Sequence, residues 1–470
     1  MSVIPAVPHE RRAFDLLLQG SQALSQVETN GFRIDTAYLE RAIAWSEETL
    51  KGLYDDLRKD EFWSDWKKSY GTGANMQSRK QFGEMLFDVR GYECRNYTGD
   101  DTSENRRAKT DPESLSHIDL PFIKKWESWQ QLTKCNSTFL KGILAEVDDR
   151  GYLHPVFNLH CVSTYRSSSD SPNFQNFPAR NKRLSRLVRR AFIPRDSHVL
   201  CEVDFGALEF RGAACFWRDP AMLEYAADMS LDIHRDMAAE VFGVSRDQVS
   251  SMARTMTKNG FVFPILYGSW YKSCAVALWE AIAKMGIKTV DGVCLYDHLL
   301  TDHGIRNLDD YTEHVRKVEE RFNNKFSHWS SEKEKWWNLY LKRGWFPLMT
   351  GFVCKGEYSR NNLMNTPIQG PSFHLLLWSL AQLQNWLVSK NMRSKIVGQI
   401  HDSIVLDIHE SELDDVLNMA HQIMTVSVRE HWDWVQVPLI VEAEVATGTW
   451  FDKREYIDDG SGHWIAKQVA

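Results

Sequence analysis

His198-Val199-Leu200-Cys201-Glu202-Val203-Asp204-Phe205-Gly206-Ala207-Leu208-Glu209-Phe210-Arg211 is the stretch on which the reading turns. An apolar-rich strand runs to an aspartate, and the chain then turns towards a helix that carries Glu209 and Arg211. A carboxylate at a strand end is held by the scaffold yet open to solvent, which suits a metal ligand or a proton-handling group. An ordinary turn aspartate occupies the same position, so this segment alone decides nothing.

Two further segments give it company. Lys395-Ile396-Val397-Gly398-Gln399-Ile400-His401-Asp402-Ser403-Ile404-Val405-Leu406-Asp407-Ile408 reads as two β-branched runs flanking a turn, a hairpin with Asp402 at its tip. If that hairpin lies beside the first strand, Asp204 and Asp402 converge on one pair of divalent ions ~3.5 to 4 Å apart, the arrangement that two-metal displacement needs. Oxygen ligands favour magnesium, which keeps waters and shares substrate phosphates. In Arg254-Thr255-Met256-Thr257-Lys258-Asn259-Gly260-Phe261-Val262-Phe263-Pro264-Ile265-Leu266-Tyr267-Gly268, Arg254 and Lys258 stand four apart. A helix presents both on one face, suited to a triphosphate, although such a pair is more often a solvated surface.

Outward from these segments, the chain has 470 residues, 43% apolar and 25% charged, enough for several domains with sizeable cores and unlike a disordered composition. No run of 18 or more apolar residues and no apolar leader is seen, so neither a membrane span nor visible secretion is expected. The net charge of -7 argues mildly against a polyanion partner, yet a local basic strip dominates contact within a Debye length of ~8 Å. Arg180, Lys182, Arg183, Arg186, Arg189, Arg190 and Arg195 form such a strip with no acid between them. Eight cysteines without a C-x-x-C pair read as buried free thiols. Helices are expected over 13–27 and 37–57 with a turn at Asn30-Gly31, a mobile loop over 97–107, and a helix start at Asp111-Pro112. The tryptophans of 322–345 are expected to pack helices rather than stack bases.

Together these segments resemble motifs A, B and C of family A DNA polymerases. Arg166-Ser167-Ser168-Ser169-Asp170-Ser171-Pro172-Asn173-Phe174-Gln175-Asn176 resembles the family's R-x-S-S-x-x-P-N-x-Q-N segment, and Leu231-Asp232-Ile233-His234-Arg235 through Phe242-Gly243 its D-I-H segment. Asn365-Thr366-Pro367-Ile368-Gln369-Gly370 is similar to N-x-P-x-Q-G, Val437-Pro438-Leu439 with Gly448-Thr449-Trp450 to the final strand, and Glu28 to Asp35 to the approach to the thumb. The resemblance covers nearly the whole chain in order, so the separate bland readings weaken together.

It implies an α+β right-hand polymerase fold, a palm with an antiparallel sheet and helical fingers and thumb. The chain divides into 1–145 (N-terminal segment and thumb), 146–230 (palm, first part), 231–365 (fingers) and 366–470 (palm, second part). The implied activity is template-directed addition of deoxynucleotides to a primer 3′-OH, in phage DNA replication, with primer-template DNA and dNTPs as partners and the cytoplasm as location. By the resemblance, Asp204, Asp402 and the Phe205 carbonyl bind two Mg2+ ions, with Mn2+ able to substitute. His234, Arg254 and Lys258 hold the triphosphate, and Phe263 and Tyr267 shape the nucleotide pocket. Glu209 fills the space of a ribose 2′-OH. Arg166, Gln175, Asn176, Arg180, Asn365, Gln369 and His401 touch the primer-template.

Three departures qualify this. Motif C is His-Asp-Ser where most members have His-Asp-Glu, a form shared with single-subunit RNA polymerases, so RNA synthesis stands as the alternative, and a non-catalytic DNA-binding protein as a second. Motif B is one residue longer than the family's K-x3-[F/Y]-x3-Y: at about 100° per residue, an unbroken helix turns Phe263 and Tyr267 away from Arg254. Pro264 adds a clash with the Gly260 carbonyl, so a π-bulge or kink is expected between Asn259 and Pro264. The stretch before Glu28 is too short for a proofreading nuclease, so exonuclease activity is expected to be missing from this chain, leaving room for a separate exonuclease or processivity partner.

Overall fold

The strand His198–Phe205 (β1) is hydrogen-bonded on both sides, and the larger part of the molecule is organised around it. In the computed structural model the described residues are 10–94, 96–98, 106–115, 117–179 and 181–468. They form two compact units: 1–35 with 146–279 and 287–470, and 36–145 with 280–286.

In the first unit, β1 is joined by Lys395–Ile400 (β2), Ser403–His409 (β3), Val441–Ala446 (β4), Arg454–Asp458 (β5) and Trp464–Ala466 (β6). The sheet order is β2-β3-β1-β4-β5-β6, with every neighbouring pair antiparallel. The run Ile404 to Ile408, apolar but for Asp407, is buried throughout because β3 is covered on both faces. The hairpin with Asp402 in its turn forms as expected. Gly398 in β2 lies at a register shift, and a Cβ there would come within 2.5 Å of the Phe174 ring. Phe174 in turn stacks on Trp450 with centroids 5.5 Å apart, beside Phe32 and Phe192, so the core reaches from sheet to flanking loops.

The helices that position the site are Glu10–Asn30 (α1), Leu208–Trp217 (α2), Ile233–Phe242 (α3), Ser251–Thr257 (α4) and Arg360–Ser389 (α5). α1 ends at Gly31, whose φ of 65° suits glycine, and Asn30 Nδ2 donates to Ile396 O at 2.8 Å, tying the helix to β2. α5 continues through Pro367 and Pro371, each of which removes an N–H from the ladder. The Leu363 carbonyl orphaned by Pro367 accepts instead from Trp336 Nε1 at 3.2 Å. Trp329 and Trp336 are buried in this packing, as expected for that segment. Gly370 allows the backbone approach that α5 needs, since a Cβ there would meet Thr164 O at 2.6 Å.

Other expectations need correction. Arg180 lies outside the described residues. Of the remaining basic strip, Arg189 lies over the Trp450 ring at 4.2 Å, Arg195 pairs with Asp407 at 2.8 Å and Arg190 with Asp452 at 3.7 Å. Three of its cations therefore hold the fold together, because the sheet supplies carboxylates and an aromatic face that linear composition hides. Tyr97–Thr98 pairs with Arg107–Ala108 in a short ladder where a loop was expected; 99–105 are outside the described residues. All eight cysteines are free as expected, but Cys161 is exposed and Cys94 and Cys294 are only partly buried.

The second unit is helical. Asp60 accepts from Phe62 N at 3.0 Å to start the helix Glu61–Tyr70, and Asp111 accepts from Ser114 N at 3.0 Å to start Pro112–Leu115, as expected. Its core is aromatic: Phe62, Trp66, Phe82, Phe122 and Trp126 are buried together, Phe82 stacking on Trp126 at 3.8 Å. Trp126 Nε1 also donates to Met76 O at 2.8 Å, so both its apolar body and its polar edge are satisfied. Trp126→Ala is expected to destabilise this unit by ~3–5 kcal/mol, read as a lowered urea midpoint for a tryptophan-monitored transition. An unchanged midpoint would contradict the core assigned here.

Candidate active site

Antiparallel pairing brings the two aspartates together. Ser403 stands opposite Asp204, and Phe205 N–H donates to Asp402 O at 3.2 Å, so the hairpin turn and the end of β1 are stitched side by side. His401 takes a left-handed φ of 49°, which lets the turn close in two residues. Asp204 is exposed near the end of β1 and Asp402 partly so. Glu442 on β4 stands opposite Asp204 from the other side.

Both aspartates are raised above the ordinary carboxylate range. Loss of water in the surrounding protein, then the charges of Asp402, Glu202 and Glu442, raise Asp204 to about 7. Asp402 is raised to about 6, chiefly by burial and with the charge of Glu209 adding, while Arg166 and Lys258 oppose. Such a site has a deficit of positive charge, which a divalent cation would relieve. Among the described residues no group of three or more His, Cys, Asp or Glu is arranged to hold an ion. Two carboxylates and a backbone carbonyl fit a magnesium-like ion that takes its other oxygens from water and phosphate.

Beyond β1, Ala207 adopts a left-handed conformation and the chain swings into α2, setting Glu209 in its first turn. Arg211 clamps this turn from inside, donating to Gly206 O at 3.1 Å and to Ala226 O and Pro438 O at 2.5 Å each. Glu209 is held from two sides: Tyr267 Oη donates to it at 2.7 Å, and Arg166 stands 3.6 Å from Glu209 and 3.8 Å from Asp402. Burial and the Glu209 charge drive the Tyr267 hydroxyl far above its ordinary value, so it stays protonated and remains the donor.

The expected irregularity in motif B is present. α4 passes into a π-helical turn over Lys258–Val262 before the short helix Phe263–Leu266. The extra residue is absorbed there, and the rings of Phe263 and Tyr267 stack with centroids 5.8 Å apart at 6°. Lys258 Nζ lies 5.5 Å from the Phe263 centroid, and His234 packs on the same ring at 5.4 Å. His234 has both ring nitrogens buried without partners and is pulled down to about 3, by burial first and then by Lys258 and Arg254, so it is neutral. Arg254 is tied to Asp232 at 2.6 Å, and Asp232 also caps α3. A cavity of about 390 Å3 opens beside them, lined in part by Arg211, Asp232, His234, Arg246 and Arg254.

A second cavity, of about 340 Å3, is lined by Arg166, Gln175, Gln369 and His401 among others. Gln399, which sequence reading passed over, joins it: its Oε1 accepts from Ser167 Oγ and from Gln175 Nε2 at 2.7 Å each, and its Nε2 donates to His401 O at 2.7 Å. Its place at the end of β2, just before the His401-Asp402 turn, was the available signal. Asn176 closes the turn Phe174–Asn176, and Asn365 on α5 has a buried amide oxygen with no partner. Glu202 and Glu442 were also passed over. Nothing in a single strand marks them until their partners across the sheet are known.

Comparison with known proteins gives the family and the fold. The DNA polymerase family A model matches residues 50–452. The chain is similar to DNA polymerase I of Lactococcus lactis, 25% identical over 447 residues covering 94% of this chain and 46% of the relative. It is 24% identical over 495 residues to the DNA polymerase of Bacillus phage SP01 (92% and 50%), and 28% over 389 residues to DNA polymerase I of Streptococcus pneumoniae (82% and 41%). The chain thus spans about half the length of the curated relatives it matches. Among solved structures, the POL domain of Pol1 from M. smegmatis in complex with DNA primer-template and dNTP shares the fold, with a TM-score of 0.72, 20% identity, and coverage of 92% of this chain and 70% of that one.

The raised aspartates make a prediction about stability. A carboxyl whose folded pKa is raised binds its proton more tightly folded than unfolded, so stability falls as pH rises from the ordinary range of ~4 through the folded value. Without divalent metal, Asp204→Asn is expected to melt above wild type at pH 8 by ~1 °C, about 1 kcal/mol after screening at this exposed strand end. The gap closes towards pH 4. Melting curves across that range check it, and a gap that widens in acid would refute it.

Proposed function

Because the chain belongs to DNA polymerase family A, we propose that it is a DNA-directed DNA polymerase that extends a primer 3′-OH with deoxynucleotides by two-metal phosphoryl transfer. The observation that carries this reading is the opposition of β1 and β3, which brings Asp402 in the hairpin turn beside the strand end that carries Asp204. Asp204, Asp402 and the Phe205 carbonyl would hold two magnesium ions, with manganese able to replace them. Bound there, the ions supply activation of the primer hydroxyl and stabilisation of charge on the phosphates.

The chain's own groups do the rest by positioning and charge. Arg254, Lys258 and His234 bind the triphosphate, for which Arg254 exchanges its Asp232 partner for phosphate oxygens. The stacked Phe263 and Tyr267 form the wall against which the base and sugar settle. Glu209, locked by Tyr267 and Arg166, occupies a fixed volume beside the sugar and so favours a deoxyribose. Arg166, Gln175, Asn176, Arg180, Asn365, Gln369 and His401 contact primer-template, four of them from the walls of one cavity. The region 1–145 supplies the N-terminal segment and thumb, and the region 231–365 the fingers. Replication of phage DNA in a host cytoplasm is in keeping with the phage relative. Among the described residues no helix is long and apolar enough to cross a membrane.

Ser403 favours the second reading, a ribonucleotide-incorporating enzyme, and one assay separates the two. In primer extension with magnesium, the wild type is expected to use dNTPs well above rNTPs, and Asp402→Asn to lose ~1000-fold or more in kcat. Glu209→Ala is expected to erode sugar discrimination by ~10-fold or more. Equal use of both sugars by the wild type supports RNA synthesis, and undiminished extension by Asp402→Asn removes the metal assignment.

A further inference from the structure

Glu202 is a charged side chain close to the aspartates that the reading above leaves without a task, and motif C touches it through Ser403. It lies two residues before Asp204 and therefore on the same face of β1, and Ser403 faces Asp204 across the strand pair. Ser403 Oγ lies 3.1 Å from Glu202 Oε1 and 2.9 Å from Ile400 O, and with one proton it donates to one of them at a time. The other oxygen of Glu202 accepts from Trp450 Nε1 at 3.1 Å and from the Lys453 ammonium. Lys453 also pairs with Glu444 at 2.5 Å, and Arg189 lies over Trp450. The side chains of Glu202 and Lys453 are only 14% and 12% exposed, so water screens them weakly.

The charges in this cluster balance: Glu202 and Glu444 against Lys453 and Arg189. Without the charge of Glu202 the cluster is net positive, next to the site where divalent cations are to bind. Motif C, whose third residue is serine here, supplies no carboxylate to offset that.

We propose that Glu202 is a positioning residue of the metal site: from β1, and joined to motif C through Ser403, it supplies the negative charge that Ser403 does not carry and keeps Lys453 and Arg189 from opposing the ions. A glutamate at 403 beside Glu202 would set like charges against each other across the strands, so the two positions act as a reciprocal pair. The inference rests on the reading of Asp204 and Asp402 as ion ligands.

Mn2+ binding to the full chain without DNA or nucleotide, followed by electron paramagnetic resonance, tests it alongside a melting curve for each variant. Glu202→Gln is expected to weaken Mn2+ binding by ~5-fold or more, as is Glu202→Ser. The exchange of Glu202→Ser with Ser403→Glu keeps one carboxylate and one hydroxyl in the same two positions, and is expected to return binding to within ~2-fold of wild type. A merely structural role lowers the melting temperature and leaves Mn2+ affinity unchanged, which overturns the inference. So does an exchanged variant that binds as weakly as Glu202→Ser. Asp402→Asn is the reference: if it loses Mn2+ while Glu202→Gln does not, this inference alone fails, and if Asp402→Asn binds normally the metal reading fails with it.

Discussion

The antiparallel register between β1 and β3 is the constraint on which the rest depends. With Ser403 opposite Asp204, Asp402 falls in the turn directly beside the end of β1, and Glu202, Asp204 and Ser403 line one face. A slip of one residue would send each of these side chains through to the other face. The two-residue turn at His401-Asp402 and the burial of β3 from Ser403 to Ile408 oppose such a slip. The register thereby holds two carboxyls beside each other that both take up protons more readily than usual, Asp204 raised to about 7 and Asp402 to about 6.

From this strand end a chain of polar contacts leads away from the sheet. Asp402 faces Arg166, Arg166 faces Glu209, and Glu209 accepts from Tyr267. Tyr267 reaches Glu209 because the π-turn at Lys258–Val262 resets the phase of the helix, which also stacks Phe263 on Tyr267 and brings Lys258 over the Phe263 ring. An inserted residue that would disrupt a regular helix is thus contained within a single widened turn, at a place where side-chain direction matters more than helix regularity.

Much of this could be read along the chain. The helices at 13–27 and 37–57, the turn at Asn30-Gly31, the hairpin around Asp402 and the irregularity before Pro264 all follow from local periodicity, turn chemistry and the shape of proline. What escaped had its cause elsewhere in the sequence. Arg189, Arg190 and Arg195 read as a solvent-facing phosphate strip until the sheet provided Trp450, Asp452 and Asp407 as partners. Gln399 and Glu202 lie inside apolar strands where a polar residue has no stated purpose until Ser167, Gln175, Ser403 and Lys453 arrive beside it. The ladder at Tyr97–Thr98 has too few residues to carry an alternating pattern at all.

By itself, then, the amino-acid order determined the elements, their types and the residues able to do chemistry, because those follow from backbone preferences and side-chain identity within a few turns of chain. Only the tertiary structure decided which charges meet. Asp204 and Asp402 are nearly two hundred positions apart, and whether they cooperate, which cation balances Glu202 and which arginines stay available are properties of strand register. Electrostatic energy depends on distance through space and on excluded water, and neither is written in the linear spacing of residues.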